Sequence, residues 1–262
     1  MAMDVSRYLK RIQYVGDIVP TYDALRRLQK SHLLTVPFEN IDIHNKVPIN
    51  LNIDSLFDKI VKNKKGGFCY ELNGLFCVLL KKIGFNAHLI SARVYSKDKG
   101  FGPAFDHATI CVTIDEIKYL VDVGFGEFSF EPLRMDFEGV QQDERGRFCI
   151  ALKEDGSYHV SKAEYGKKLT QYSFEENPFE LVDFTEMCHY HQTSPDSKFT
   201  QRKLITIPIL NGRYTLTSDK FIHKIANRMK IDSIDTIADY HEKLESIFGY
   251  YEDGVLIQKR TD

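Results

Sequence analysis

The 262-residue chain is 43% apolar, enough for a real core in one large domain or two to three small ones. Its 35 basic and 37 acidic residues leave a formal net charge of −2, which gives no electrostatic footing for nucleic acid or a membrane surface. The five cysteines, Cys69, Cys77, Cys111, Cys149 and Cys188, are odd in number and unpaired in spacing, which argues against a disulfide framework or a zinc site. With a charged N-terminus and no run near the ~18 apolar residues of a membrane span, a cytosolic home is expected.

The first 84 residues read as helical. Thr21 can cap a helix through Leu25 and Leu28, and Asn52 or Asp54 can start another through Leu56, Phe57, Ile60 and Val61. In KKGGFCYELNGLF (residues 64–76) two glycines and a cysteine precede a third helix, whose apolar positions Leu72, Leu75, Phe76, Leu79, Leu80 and Ile83 form one face. Gly84 suits its C-cap, and Lys81 and Lys82 suit the negative end of its dipole. From residue 86 the period changes to two in NAHLISARVY (86–95), HATICVTID (107–115) and IKYLVDVGF (117–125), which predicts strands. The glycine- and proline-bearing SKDKGFGPAF (96–105) predicts a loop at the border of a cleft. Short strands are expected at 146–152 and 157–163, a hairpin over 199–218 with Asn211-Gly212 as its turn, and a last helix through Ile234, Ile237, Ala238, Leu244 and Ile247, closed by Gly249.

Cys69 sits where the third helix begins, so a thiolate there would be stabilised by unpaired backbone N–H groups. A free cysteine is equally at home as a small buried hydrophobe. A nucleophilic thiol needs a base, and the base an orienting partner. Of nine histidines, His107 stands out at the mouth of a strand after the glycine-bearing loop. If Asp115-Glu116 forms a two-residue turn, paired positions sum to 231. His107 and Asp122 then share one face as diagonal neighbours about 7–8 Å apart. The same spacing also suits a solvated strand end and a carboxylate bonded to a nearby amide. His189 and His191 stand at a metal-like i, i+2 spacing but lack a clustered acid or thiol ligand set, so no metal is expected.

Five stretches in order, VPFENIDIH (36–44), GGFCYELNGLF (66–76), DHATICV (106–112), VDVGFG (121–126) and TSPDSKF (193–199), resemble the arylamine N-acetyltransferase family over most of the chain. The resemblance implies an α+β fold: a helical N-terminal domain (1–85) carrying the nucleophile, a β-barrel domain (86–190) carrying histidine and aspartate, and an α/β lid (191–262) over a cysteine-protease-like catalytic core. It implies a catalytic triad of Cys69, His107 and Asp122, with acetyl-CoA as donor and a small aromatic amine, arylhydroxylamine or hydrazine as acceptor, reacting by a ping-pong route through an acetyl-cysteine. Phe68, the segment Gly102, Pro103, Ala104 and Phe105, and the loop Gly124, Phe125 and Gly126 are assigned to the CoA and acceptor cleft. Phe38 and Phe199 are further candidates to line an aromatic pocket. Where the family usually has arginine before the two glycines, this chain has Lys65, which would make a single ammonium contact to a buried carboxylate such as Glu39. An amide-forming acyltransferase, a cysteine hydrolase with the same triad and a silent binding protein are the competing readings; the last would have lost a triad member, and none is lost.

Overall fold

The computed structural model describes residues 3–164, 166–226 and 228–250. The chain opens on α1 (Val5–Arg11), capped by Asp4, and α2 (Tyr22–Thr35), whose Ala24 amide donates to the Thr21 hydroxyl. A two-residue strand β1 (Phe38–Glu39) and the short α3 (Ile41–His44) lead to α4 (Ile53–Phe57). Asn52 caps α4 through its Oδ1, and the helix runs on as a π-helical turn, Asp58–Lys62. The third predicted helix is α5 (Cys69–Ile83), closed by Gly84 at φ 109°, a left-handed conformation that favours glycine. It is buried on more than the one predicted face. Tyr70, Glu71, Asn73 and Gly74 are as enclosed as Leu72, Leu75, Phe76, Leu79 and Leu80, because the helix is packed on several sides. Each of those leucines and the phenylalanine contributes about 1.5–3 kcal/mol by leaving water.

The strands β2 (Asn86–Ser96), β3 (Gly100–Phe101), β4 (His107–Ile114), β5 (Ile117–Val121), β6 (Leu133–Arg134), β7 (Gln141–Asp143), β8 (Gly146–Leu152), β9 (Tyr158–Glu164) and β10 (Lys167–Phe174) build one antiparallel sheet. Its order is β6-β5-β4-β2-β10-β9-β8-β7, with β3 paired to β2. The Gln141 side chain holds the Arg134 backbone N (2.7 Å) and O (2.9 Å), so the two end strands meet and the sheet nearly closes into a barrel. Alternation sorts the side chains: Ala87, Leu89, Ile110 and Val121 face α5, while Ile90, Ala92, Cys111 and Leu120 fill the barrel with Phe148 and Tyr172. Asp115 and Glu116 form the expected two-residue turn, both at positive φ, and the β4–β5 register sums to 231. The strand predicted over 117–125 stops at Val121. Beyond it, the amides of Val123 and Gly124 bond to the side chains of Asn73 and Asp122 instead of to a neighbouring strand.

After a 3-10 turn (Leu181–Phe184) come α6 (Thr185–Thr193), α7 (Lys198–Gln201), β11 (Leu204–Ile209), β12 (Gly212–Thr217), β13 (Lys220–Ile225), β14 (Arg228–Ser233) and α8 (Ile237–Phe248), capped by Gly249. The second sheet runs β1-β11-β12-β13-β14. Residues 199–201 are helical, not strand, because Ser197 caps α7. The β11–β12 turn is Leu210-Asn211, one residue earlier than predicted, with Ile209 opposite Gly212. Gly212 serves a different need: a Cβ there would lie 1.9 Å from the Lys224 carbonyl oxygen on β13. Ile205, Leu216, Phe221, Leu244 and Phe248 form a separate core between sheet and helix, joined by Ile41 from α3. Thus β1 and α3 tie the chain's first region to its last. Among the described residues, no helix is long and apolar enough to cross a membrane.

Candidate active site

Cys69 opens α5 and is 3% exposed. The glycines before it are explained by close backbone packing rather than by left-handed turns. A Cβ on Gly66 would lie 2.2 Å from the Pro37 carbonyl oxygen, and Gly67 accepts the Glu39 amide at 2.9 Å. Glu71, in the first turn, accepts the Phe68 amide at 3.0 Å and so holds the residue before the cysteine. Behind this loop Lys59 Nζ lies 3.2 Å from Glu39, 2.8 Å from Asp42 and 2.8 Å from Glu71. Burial pushes the Glu71 carboxyl up, against the pull of the Lys59 charge. The cation reaching Glu39 is therefore Lys59, whereas the sequence suggested Lys65, whose ammonium lies over the Tyr250 ring.

His107 begins β4 and Asp122 follows the end of β5, and the predicted register brings them together: His107 Nε2 lies 2.7 Å from Asp122 Oδ2. The carboxylate is fully buried and fully occupied. Tyr172 donates its hydroxyl to Oδ2 (3.2 Å), and Asn73 Nδ2 and the Gly124 amide donate to Oδ1 (both 2.9 Å). With Nε2 engaged, the other ring nitrogen of His107, Nδ1, is the one left to serve Cys69. Burial alone would push the His107 pKa down. The charge and hydrogen bond of Asp122, with the hydrogen bond and charge of Cys69, outweigh it and raise the pKa to about 10. His107 is thus an imidazolium at neutral pH, bracketed by the Asp122 carboxylate and the Cys69 sulfur. Gly124 allows this closeness: a Cβ there would lie 2.8 Å from both Cys69 Cα and Asn73 Nδ2.

Asn73 and Tyr172 were not singled out in the sequence. Asn73 carries a signal, being a polar residue one helical turn after Cys69 within an apolar helix. Tyr172 carries none, since it lies on the unpredicted strand β10. Asp106, the carboxylate adjoining His107, pairs elsewhere: it lies 3.2 Å from His191 Nε2, whose Nδ1 lies 3.0 Å from Ser197 Oγ. His191 is therefore a buried residue held by Asp106 and Ser197, and among the described residues no three His, Cys, Asp or Glu side chains gather as metal ligands would.

Cys69 and His107 open onto a cavity of about 970 Å³. Of the residues assigned to the cleft, Gly102, Pro103, Gly124, Phe125 and Gly126 line it, as do Phe38 and Phe199. Phe68, Ala104 and Phe105 do not. Phe68 is fully buried and supports the wall from behind, edge-on to Phe199 and Tyr70. Phe105, at φ 63°, turns its ring onto Phe179 and Phe184 while its carbonyl accepts the Tyr70 hydroxyl at 2.6 Å. The α6–β12 region supplies much of the remaining wall, including Met187, Tyr190, Leu204 and Arg213.

The family model described as N-acetyltransferase matches residues 21–251. Arylamine N-acetyltransferase of Mycobacterium tuberculosis is 32% identical over 91% of this chain and 86% of its own length. Arylamine N-acetyltransferase 2 of Rattus norvegicus is 26% identical over 99% and 98%. Among solved structures, that of Mycobacterium marinum arylamine N-acetyltransferase in complex with CoA matches with a TM-score of 0.86 at 27% identity, over 94% of this chain and 92% of that one. By the length of these matches and the fold they share, the chain belongs to the arylamine N-acetyltransferase family.

Proposed function

We propose that Cys69 carries the acetyl group between two half-reactions, with His107 handling the proton and Asp122 holding His107. The activity is acetyl-CoA-dependent N-acetylation of arylamines, with acetyl-CoA as a substrate. In the first half-reaction Cys69, its proton already on His107, attacks the thioester carbonyl carbon as a thiolate, the carbon–sulfur bond to CoA breaks, and the departing CoA sulfur takes the proton of the His107 imidazolium. Cys69 is left as an acetyl thioester beside a neutral imidazole. In the second, an amine attacks that thioester, its proton passes to His107, and the Cys69 sulfur leaves, restoring the starting pair. The tetrahedral oxyanion of each half-reaction would lie at the start of α5, where backbone N–H groups lack helical partners.

The observation that carries this reading is the 2.7 Å contact of His107 with the buried Asp122 carboxylate, with Cys69 and His107 together at the edge of the 970 Å³ cavity. The aromatic rings of Phe38, Phe125 and Phe199 in its lining suit an aryl amine, arylhydroxylamine or aryl hydrazine as acceptor. In this reading the helical domain (1–85) gives the nucleophile, the barrel (86–190) its base and carboxylate, and the lid (191–262) the remaining walls. All five cysteines are free and buried, which accords with a reducing, cytosolic setting. The test is turnover with a panel of aromatic amines and hydrazines, against a peptide substrate. Peptide hydrolysis without acetyl transfer would favour the hydrolase reading.

A further inference from the structure

A second cavity, of about 360 Å³, adjoins the first, and Glu127 and Arg213 line both. Its charged lining consists of Arg145, Lys162, Arg213 and Lys224 against Glu127 and Glu144. The two acids are already occupied: Glu127 by Lys224 (3.0 Å) and Lys162 (3.5 Å), Glu144 by Lys30 (2.7 Å). Lys162 has a further acid in Glu164 at 2.7 Å.

The arginines differ. Arg145 donates to the Gly212 carbonyl at 2.8 Å and lies over the Phe130 ring. Arg213 is 8% exposed and donates to Thr206 Oγ1 at 2.8 Å and to the Gly126 carbonyl. Neither guanidinium contacts a carboxylate among the described residues, and Arg213 Nε is buried with no hydrogen-bond partner. Burial, and then the Arg145 charge, lower the pKa of Arg213 to about 10, so it keeps its charge at neutral pH at a cost to the fold. A buried guanidinium with an unused N–H and a half-buried one that repels it across the cavity, with Glu127 as the one acid whose charge acts on both, leave room for an anion with several acceptor oxygens.

We propose that the cavity between Arg145 and Arg213 binds a phosphate or diphosphate group, and that the acetyl donor supplies it. The proposal rests on the acetyl-CoA reading above. CoA carries phosphates at the end remote from its thioester. A cavity sharing Arg213 with the one that holds Cys69 can receive that end while the thioester reaches the thiol.

The experiment measures kcat and KM for acetyl-CoA and for S-acetyl-N-acetylcysteamine, a thioester without phosphate, in the wild type, Arg145→Gln and Arg145→Lys. A thermal-shift titration of the wild type and both variants with inorganic pyrophosphate runs alongside. The expected result is an about 10- to 100-fold higher KM for acetyl-CoA in Arg145→Gln at similar kcat, partial recovery in Arg145→Lys, and a donor-preference ratio that collapses toward the phosphate-free thioester. Pyrophosphate should raise the wild-type Tm and compete with acetyl-CoA. An unchanged acetyl-CoA KM, with a pyrophosphate shift that Arg145→Gln loses, supports the anion site but assigns it to free phosphate. Parallel loss with both donors, or no pyrophosphate shift in the wild type, overturns the proposal. If neither donor acetylates the wild type, the transferase reading fails, and the pyrophosphate arm alone decides for or against the anion site.

Discussion

Replacing Asp122 by Asn tests how the His107 charge is held. All four hydrogen bonds to this carboxylate come from donors: His107 Nε2, the Tyr172 hydroxyl, Asn73 Nδ2 and the Gly124 amide. An Asn side chain offers one acceptor oxygen. If that oxygen stays with Asn73 and Gly124, its NH₂ faces His107 Nε2 and the Tyr172 hydroxyl. The ring is then driven to the tautomer that carries its proton on Nδ1, against Cys69, and that nitrogen can no longer accept one. The carboxylate charge that opposed the burial penalty is lost as well, so the His107 pKa falls from about 10 to its ordinary value of 6.5 or below. At pH 7.5 the imidazolium fraction would drop from nearly all molecules to roughly a tenth or fewer. Wrong tautomer and lost charge together predict an about 10³- to 10⁴-fold slower acetylation of Cys69, and the mismatched donors cost about 1–3 kcal/mol of stability. The assay is rapid-mixing release of CoA, with iodoacetamide alkylation of Cys69 followed against pH. Asp106→Asn is the control, since Asp106 pairs with His191. An unchanged alkylation profile in Asp122→Asn, or a larger effect from Asp106→Asn, would show that Asp122 does not hold the His107 charge.

Linkage gives a second expectation. A histidine whose pKa rises on folding adds stability that is fully present below its unfolded value near 6.5 and is lost as pH climbs through about 10. The Tm advantage of wild type over Asp122→Asn should therefore shrink between pH 7 and pH 10.5; a constant gap contradicts it. Lys59→Met leaves Glu39, Asp42 and Glu71 buried without their shared cation. It should cost about 3–5 kcal/mol in urea unfolding, with Glu71→Gln in the same chain recovering part of the loss, and a cost below about 1 kcal/mol would show that the cluster is not held by Lys59. Gly124→Ala places a methyl 2.8 Å from Cys69 Cα, so acetylation should slow at least about tenfold while the far-UV spectrum is retained. Wild-type rates would mean the β5 end yields freely.

What could be read in advance followed from strict periodicity. The series from Leu72 to Ile83 fixed α5 and placed Cys69 at its start, and a two-residue turn at Asp115-Glu116 fixed the parity that sets Asp122 against His107. Features without a period stayed hidden. The register of β10 with β9 shifts between Thr170 and Tyr172, which breaks the alternation that would have revealed the strand bearing Tyr172. Strand β14, RMKIDS, exposes nearly every side chain and buries no regular face. Phe105 appeared as a cleft residue by its place in the loop, but its left-handed backbone turns the ring inward, a choice that composition does not encode. The gathering of Glu39, Asp42 and Glu71 on Lys59 joins three separate elements to a π-helical turn, and no local spacing announces it.

Whether Cys69 carries the acetyl group is decided by intact-protein mass spectrometry after incubation with acetyl-CoA and no acceptor, with peptide mapping to locate the adduct. The expected result is one acetyl group per wild-type chain, on the peptide holding Cys69, discharged on adding an aromatic amine and absent from a folded Cys69→Ser variant. An adduct that persists in Cys69→Ser, or that maps to Cys77, Cys111, Cys149 or Cys188, would contradict it.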